Sequence, residues 1–178
     1  AVLCPPHLVD QWVGELNDRF HLNATALTAR NAETLQRVLP DGSNLFDEHR
    51  VLVTSLDYIK TDRHRDHFLA IAPSLVIVDE AHHLSVDERN GETLAYSLVS
   101  ELEARQRVNS LLFFTGTPHR GKDFGFFGLM QLVRPDLFKP DGDKLEQLGR
   151  LSEVMIRTNK AAATDLQGNR LFKPVSVH

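Results

Sequence analysis

A continuous apolar run that ends in two carboxylates is the feature that most constrains this chain. Residues 75–78 are all apolar, and Asp79 and Glu80 follow them directly. A strand that is buried on both faces of a parallel sheet has this pattern. Ligands of open α/β sheets bind at the carboxyl ends of the strands, where one carboxylate can hold magnesium and the other can position a water. The pattern therefore predicts a nucleotide triphosphatase site, although a solvated pair of loop carboxylates fits it equally well.

Short apolar runs alternate with segments of helical periodicity along the chain, which favours an α/β fold with a mainly parallel sheet flanked by helices. Strands are predicted at residues 2–4, 24–28, 51–54, 75–78 and 111–114. Helices are predicted at residues 8–20, 32–39, 63–71, 91–105, 124–133 and 143–156, with a further helix start at Ser55. Because no repeat and no linker interrupts this pattern, we expect a single domain over residues 1–178.

The composition is that of an ordinary globular protein and argues against several classes. The net charge of −4 and the pI near 6.1 mean that nucleic-acid binding would need a local basic patch. The single cysteine, Cys4, excludes an internal disulfide, and no apolar run reaches the length of a membrane span. We therefore expect a reducing, cytoplasmic setting without membrane contact. Since the chain begins inside an apolar strand and without Met, we also expect it to be part of a longer protein.

Three other predicted strands also end in residues suited to binding. These residues are Pro6 and His7 after the first strand, Thr54 and Ser55 at the third, and Thr115 and Thr117 after the last. Free N–H groups at helix starts bind phosphates, although ordinary caps and turns use the same residue types. His82 adds a donor that can link the carboxylates to a neighbouring strand. Basic residues cluster at 60–65 and 119–122, where a solvated surface is the simpler interpretation.

The order of these segments resembles that of superfamily 2 helicases in their Snf2-like form. Residues 2–12, which end in Trp, resemble motif Ia, and residues 51–57 resemble the nucleic-acid-contacting motif that follows. Residues 76–84 match motif II, the DEAH box, and residues 112–120 match motif III with its Thr-Gly-Thr-Pro. Residues 129–138 and, imperfectly, 155–160 are similar to later Snf2 segments. The likeness points to bacterial Snf2-like ATPases related to the RNA-polymerase-associated remodeller.

This resemblance implies a three-layer RecA-like domain of the P-loop NTPase type, incomplete at its N-terminus, that uses ATP and Mg²⁺ to move on duplex DNA. It assigns Asp79 to Mg²⁺, mostly through water, Glu80 to activation of the attacking water, and His82 to coupling with motif III. Thr115 and Thr117 would adjoin the nucleotide and transmit its state. The nucleic-acid contacts would come from Pro6, His7, Thr54, Ser55 and Arg120. RNA polymerase and other DNA-bound complexes are the implied protein partners, and RNA is the alternative nucleic acid.

Two parts of such a motor are absent from these 178 residues. No complete Gly-x-x-x-x-Gly-Lys-Ser/Thr phosphate loop occurs, and the second RecA-like lobe with its arginine fingers is missing. We therefore expect part of lobe one, inactive alone, with residues 120–178 as a helical extension towards lobe two. Two alternatives stay open. One is a non-catalytic nucleic-acid or protein-interaction module with a degenerate ATPase lobe, and the other is a metal-dependent hydrolase that uses Asp79, Glu80 and His82.

Overall fold

The computed structural model describes residues 1–40, 43, 45–71, 73–106, 108–118 and 122–157. The chain divides into two compact units, Ala1–Gly142 and Asp143–His178. The strands of the first unit are β1 (Val2–Cys4), β2 (Ala24–Leu27), β3 (Val51–Ser55), β4 (Leu75–Val78), β5 (Val86–Asp87), β6 (Gly91–Glu92) and β7 (Ser110–Phe113). Its helices are α1 (Val9–Phe20), α2 (Ala32–Arg37), α3 (Leu45–Glu48), α4 (Leu56–Ile59), α5 (Asp62–Ile71), α6 (Leu94–Ala104) and α7 (Asp123–Val133).

Five strands form one parallel sheet in the order β2-β3-β1-β4-β7. Strand β1 lies at its centre, where Leu3 pairs with Thr54 of β3 on one side and with Val78 of β4 on the other. All three residues are fully buried, which explains why the central strands are apolar without alternation. The α/β fold predicted from the sequence is confirmed, and each predicted strand lies within one residue of its observed bounds.

Helix α1 packs on one face of the sheet. Its residues Val9 and Leu16 form a buried cluster with Val2 of β1 and Val53 of β3. A short 3-10 turn at Pro6–Leu8 leads from β1 directly into this helix. The helix predicted at residues 8–20 is therefore confirmed, and its start is fixed by the turn that leaves the central strand.

The opposite face of the sheet is covered by α2, α3 and α4. Leu27 of β2 and Leu52 of β3 pack there against Leu35, Phe46 and Tyr58, which come from these three helices in turn. Since successive residues of a strand point to opposite faces, this cluster and the α1 cluster lie on different sides of the sheet. The first unit thus has a helical layer on each face, as a RecA-like domain requires.

An antiparallel hairpin, β5–β6, lies between β4 and α6. Val86 pairs with Glu92, and Asp87 pairs with Gly91, whose φ of 74° lies in the left-handed region. The Oδ1 atom of Asp87 accepts hydrogen bonds from the backbone N–H groups of Arg89 (3.1 Å) and Asn90 (3.3 Å) and so closes the loop. The prediction that a helix begins at residue 91 is wrong, because this turn uses residues 87–91. Helix α6 begins only at Leu94, after the cap residue Thr93.

The hairpin rests directly on α7. A Cβ atom added at Gly128 would lie 2.2 Å from Cγ1 of Val86, so only glycine permits this approach. The Tyr96 hydroxyl of α6 donates a hydrogen bond to the Gly128 carbonyl at 3.1 Å. Gly128 is therefore the point at which hairpin, α6 and α7 meet.

The second unit is described as far as residue 157 and contains α8 (Lys144–Gly149) and a 3-10 turn at Leu151–Glu153. Asp143 caps α8 by accepting a hydrogen bond from the Glu146 N–H at 2.8 Å. The helix predicted over residues 143–156 is thus two shorter pieces. The predicted extension over residues 120–178 remains a prediction, since residues 158–178 lie outside the described part. Within the described residues, no helix combines the length and the apolar character needed to cross a membrane.

Candidate functional site

The carboxyl ends of four neighbouring strands bring the predicted site residues that the structure describes to one edge of the sheet. Along this edge, β3 ends at Ser55, β1 leads into the Pro6–Leu8 turn, β4 leads into Asp79, and β7 leads into Thr115. Asp79 therefore lies between the residues expected to contact nucleic acid and the threonine of motif III. Sheet order places the acidic pair at the boundary between the two groups.

Asp79 is held in place by hydrogen bonds to its backbone and to both of its carboxylate oxygens. Its N–H donates to the Leu3 carbonyl of β1 at 2.8 Å. Its Oδ1 accepts from the N–H of Glu80 at 2.8 Å, and its Oδ2 accepts from Nε1 of Trp12 at 2.8 Å. The carboxylate thus has a defined orientation, with lone pairs still available on both oxygens.

The contact of Trp12 with Asp79 was missed in the sequence, where Trp12 was noted only as the end of the motif Ia segment. The indole ring is half-buried, and it stacks on Phe114 with ring centroids 6.3 Å apart and planes 25° apart. A buried indole N–H usually finds a partner, so the Trp that closes the motif Ia segment was a signal for a nearby acceptor. The sequence did not indicate that this acceptor is Asp79.

Glu80 has a different environment from its neighbour. Its backbone lies in the left-handed region, with φ 50° and ψ 45°, and its side chain is 41% exposed. This turn leads into a 3-10 segment, Ala81–His83, which is tied to the end of β7 by a hydrogen bond from the Ala81 N–H to the Phe114 carbonyl (2.9 Å). The backbone therefore sends the Glu80 carboxylate out of the strand while the following turn stays anchored to the sheet.

His82 connects the carboxylate of Glu80 to motif III. Its Nδ1 atom lies 3.0 Å from Oε2 of Glu80 and 3.2 Å from Oγ1 of Thr115. Thr115 Oγ1 also accepts a hydrogen bond from the N–H of Thr117 at 3.2 Å. Glu80, His82, Thr115 and the backbone of Thr117 thus form one continuous polar chain across two strand ends. The Thr117 side chain is exposed, and Arg120 lies outside the described residues.

The four described residues expected to contact nucleic acid differ in their exposure. Pro6 and His7 are exposed on the turn between β1 and α1. Thr54 is fully buried, with no hydrogen-bond partner for Oγ1 among the described residues, and Ser55 is 7% exposed and caps α4 by accepting from the Tyr58 N–H. Thr54 and Ser55 are thus buried at the end of β3, whereas Pro6 and His7 are accessible on the surface. The contacts themselves remain a prediction.

Three of the basic residues noted in the sequence are paired with acidic neighbours. Lys60 pairs with Asp57 at 2.7 Å, and Arg65 pairs with Glu101 at 2.5 Å. Lys122 Nζ lies 2.7 Å from Oδ2 of Asp87, and this contact, with the loop N–H groups, lowers the pKa of the Asp87 carboxyl to about 2. For these three described side chains, an ion-paired surface role is therefore favoured over phosphate binding.

Comparison with known proteins identifies the family to which the chain belongs. A family model described as the SNF2-related domain matches residues 1–163. The chain belongs to the SNF2-related family. The resemblance to Snf2-like proteins of helicase superfamily 2, which the order of the motifs indicated, is confirmed.

Curated relatives of this SNF2-related chain carry the name RNA polymerase-associated protein RapA. The protein from Yersinia pseudotuberculosis (serotype O:1b, strain IP 31758) is 31% identical over 139 residues, and that from Yersinia pestis (strain Pestoides F) is 30% identical over the same length. Each alignment covers 77% of this chain and 14% of the relative. The chain thus spans about a seventh of the length of these relatives.

The acidic pair of the SNF2-related chain fits Mg²⁺ better than a metal held by protein alone. Mg²⁺ prefers oxygen ligands and is commonly bound through one or two carboxylates, waters and substrate phosphates. Asp79 offers oriented oxygens with free lone pairs, and Glu80 is partly exposed beside it. No group of three His, Cys, Asp or Glu side chains that could cage a metal occurs in the described part of the chain. The hydrolase alternative therefore has no ligand set there.

The segment from Gly116 to Asp123 shares the Gly-x-x-x-x-Gly-Lys spacing of a phosphate loop, and it connects β7 to α7. The hydroxyl residue that would contact Mg²⁺ is replaced by Asp123, whose negative charge at the start of α7 opposes a phosphate. Lys122 is paired with Asp87. The segment therefore lacks the hydroxyl residue of a phosphate loop, and residues 116–120 remain part of the predicted motif III.

The environment of Cys4 reflects its position between the core and the acidic pair. Its side chain is fully buried at the end of β1, and Sγ lies 3.8 Å from the Thr54 carbonyl oxygen. Burial, together with the negative charge of Asp79, raises the pKa of the Cys4 thiol to about 12. The thiol is thus a protonated core group at neutral pH.

Proposed function

We propose that this chain is part of an ATP-dependent DNA translocase in which ATP hydrolysis drives movement on duplex DNA. The observation that carries the proposal is the polar chain from Glu80 through His82 to Thr115, which joins the acidic pair of motif II to the end of β7. In a motor, such a connection would carry the state of the hydrolytic group to a second strand end. Membership in the SNF2-related family supports ATP and Mg²⁺ as cofactors.

Asp79, Glu80 and His82 would have different roles in ATP hydrolysis. Asp79 would hold Mg²⁺, mostly through water, and the bound ion would neutralise charge on the phosphate oxygens. Glu80 would orient and activate the attacking water as a general base. His82, within hydrogen-bond distance of both Glu80 and Thr115, would keep the base in position and relay its state to motif III.

Contact with DNA would be made on the β1 side of the acidic pair. Pro6 and His7 offer an exposed turn there, and Thr54, Ser55 and Arg120 complete the predicted contact set. Such contacts reach phosphates, so they are independent of base sequence and weaken with salt. The names of the relatives support RNA polymerase as a protein partner, and a cytoplasmic, nucleoid-associated location follows from that proposal.

Substitution of Glu80 by Gln tests the proposal in the full-length protein. The amide keeps the size of the side chain but cannot accept a proton, so we expect ATP turnover to fall at least about 100-fold while ATP binding persists. Steady-state phosphate release and equilibrium nucleotide binding measure the two effects. Glu88→Gln, an exposed glutamate on the nearby hairpin loop, is the matched control and should leave turnover unchanged. A Glu80→Gln rate within about threefold of the wild-type rate would exclude Glu80 as the base.

A non-catalytic interaction module with a degenerate ATPase lobe is the second candidate. The absence of a complete phosphate loop within these 178 residues favours it. The sequence that precedes Ala1 in the full-length protein separates the two: a Gly-Lys-Thr or Gly-Lys-Ser loop shortly upstream supports the motor, and its absence supports the module. DNA-stimulated ATP turnover by the full-length protein would support the motor independently.

A further inference from the structure

Trp12 makes contacts that a simple core residue does not need. It lies in the first turn of α1, and its Nε1–H donates to Oδ2 of Asp79 at 2.8 Å across 67 positions of sequence. The half-buried ring packs against the core cluster beneath α1, and it also stacks on Phe114, which is 44% exposed. Trp12 thus bridges the helix of motif Ia, the acidic residue of motif II and the strand end of motif III.

The geometry at Asp79 shows what this bridge does. The Glu80 N–H binds Oδ1, and the Trp12 indole binds Oδ2, so the two donors together prevent rotation of the carboxylate. Phe114 lies against the indole and restricts its tilt. A metal ligand that is already oriented loses less conformational freedom when the ion binds, so its affinity for the ion is higher.

We propose that Trp12 is a positioning residue that holds the Asp79 carboxylate in its metal-binding orientation. The inference rests on the proposed function, since it assumes that Asp79 receives Mg²⁺. Trp12 itself contacts neither nucleotide nor metal in this scheme. The indole donor would act on catalysis through Asp79. Its loss should therefore lower the affinity for the metal and leave the rate of the chemical step unchanged.

Binding of Mn²⁺, used as a paramagnetic substitute for Mg²⁺, measures this contribution without turnover. The full-length protein is kept in excess over a non-hydrolysable ATP analogue, so that little free analogue remains to chelate the ion. The loss of the free-ion electron paramagnetic resonance signal, measured against the analogue alone, then reports metal bound by the protein. Trp12→Phe keeps an aromatic ring beside Phe114 but removes the donor, so we expect Mn²⁺ affinity to fall about fivefold or more. Phe20→Leu, at the exposed end of the same helix, should leave the affinity unchanged.

Two further variants keep the test decisive. Phe114→Leu retains the indole donor but loosens the ring, and we expect a smaller loss of about twofold. If Trp12→Phe fails to fold, a Phe114→Leu affinity equal to that of the wild type overturns the inference. Asp79→Asn separates the two levels of the proposal. If it leaves Mn²⁺ binding intact, the proposed function fails, whereas if Asp79→Asn weakens binding and Trp12→Phe does not, only the role of Trp12 fails.

Loss of the indole donor should change the Mg²⁺ concentration that ATP turnover requires, but not the maximal rate of turnover. In the full-length protein, Trp12→Phe should raise the Mg²⁺ concentration for half-maximal ATP turnover by the same factor of about five, while turnover at saturating Mg²⁺ stays within about twofold. A purely structural role would instead lower turnover at every Mg²⁺ concentration. That pattern, with unchanged Mn²⁺ affinity, would overturn the inference.

Discussion

The adjacent carboxylates of Asp79 and Glu80 have different environments because their neighbours differ. Asp79 is oriented by two fixed donors, whereas Glu80 is turned outwards and contacts a histidine. The sequence could predict that the pair lies at a strand end, since the apolar run before it is continuous. It could not predict the indole partner, because Trp12 precedes Asp79 by 67 positions and periodicity carries no information about contacts between distant elements.

Cys4 gives the first prediction at this scale, a loss of stability in alkali. Its pKa is raised from 9.0 to about 12 in the folded chain, so between these pH values the unfolded chain gains a thiolate and the folded chain does not. The free energy of unfolding should fall by about 2 kcal/mol through this residue between pH 8 and pH 10.5. Urea unfolding followed by circular dichroism measures it.

Substitution of Cys4 by Ala isolates this contribution from other alkaline titrations. The pKa of Tyr96 is also raised to about 12, so this residue too lowers the free energy of unfolding as the pH rises. Because Tyr96 is present in both chains, its effect cancels in the comparison. Cys4→Ala should be less stable at pH 8, because it leaves a small cavity, but its stability should decline less steeply with pH. Equal slopes for the two chains would contradict the role of the thiol.

At the scale of elements, buried strands were predictable and small irregular pieces were not. A strand covered on both faces needs a continuous apolar run, and the five strands of the main sheet have one or a close approximation. The hairpin strands β5 and β6 have two residues each, too few to show any period. The Asn90-Gly91 pair at the start of β6 is a strong hairpin signal, and it was the available clue. Helix α3, four residues long, was missed for the same reason of length.

Two helical glycines provide a matched test of how the hairpin docks. Gly128→Ala places a methyl group against Val86, and the resulting overpacking should lower the free energy of unfolding by about 1–2 kcal/mol. Gly14→Ala in α1 meets nothing within 4 Å and should raise it by about 0.5–1 kcal/mol, since alanine favours helix. Urea titration of both variants checks the opposite signs.

A second substitution identifies the cause of any destabilisation at Gly128. Val86→Ala removes the methyl group that would clash, so the double variant Gly128→Ala, Val86→Ala should recover part of the loss relative to the sum of the two single changes. Strict additivity would show that the hairpin does not press on α7 at this point.

At the scale of the whole molecule, the strand order separates two surfaces along one edge. The exposed Pro6–His7 turn lies on one side of Asp79, and Thr115 lies on the other. The net charge of −4 and the ion pairs of Lys60, Arg65 and Lys122 argue against binding by a broad basic face. Contact with DNA is thus expected to be local to the strand ends.

The 178-residue chain alone is expected to show negligible ATP turnover. Asp79 and Glu80 would supply the metal-binding and base groups of the proposed function, but the 178 residues contain no complete phosphate loop to bind the triphosphate. Phosphate release by the purified chain, with and without duplex DNA, measures this. Robust turnover that Glu80→Gln abolishes would show that the chain binds ATP by other means, and the prediction would be wrong.

The left-handed backbone at Glu80 has a consequence for how such proteins diverge. An L-residue with φ 50° and ψ 45° is strained by roughly 1–2 kcal/mol, and glycine is not. Selection for a more stable fold therefore favours Gly at position 80, while selection for hydrolysis favours Glu. In a lineage that stops using ATP, selection for hydrolysis ends and selection for stability remains. Gly should therefore replace Glu at position 80 early in such a lineage. If the proposed function holds, the residue at position 80 would indicate whether a related protein still hydrolyses ATP.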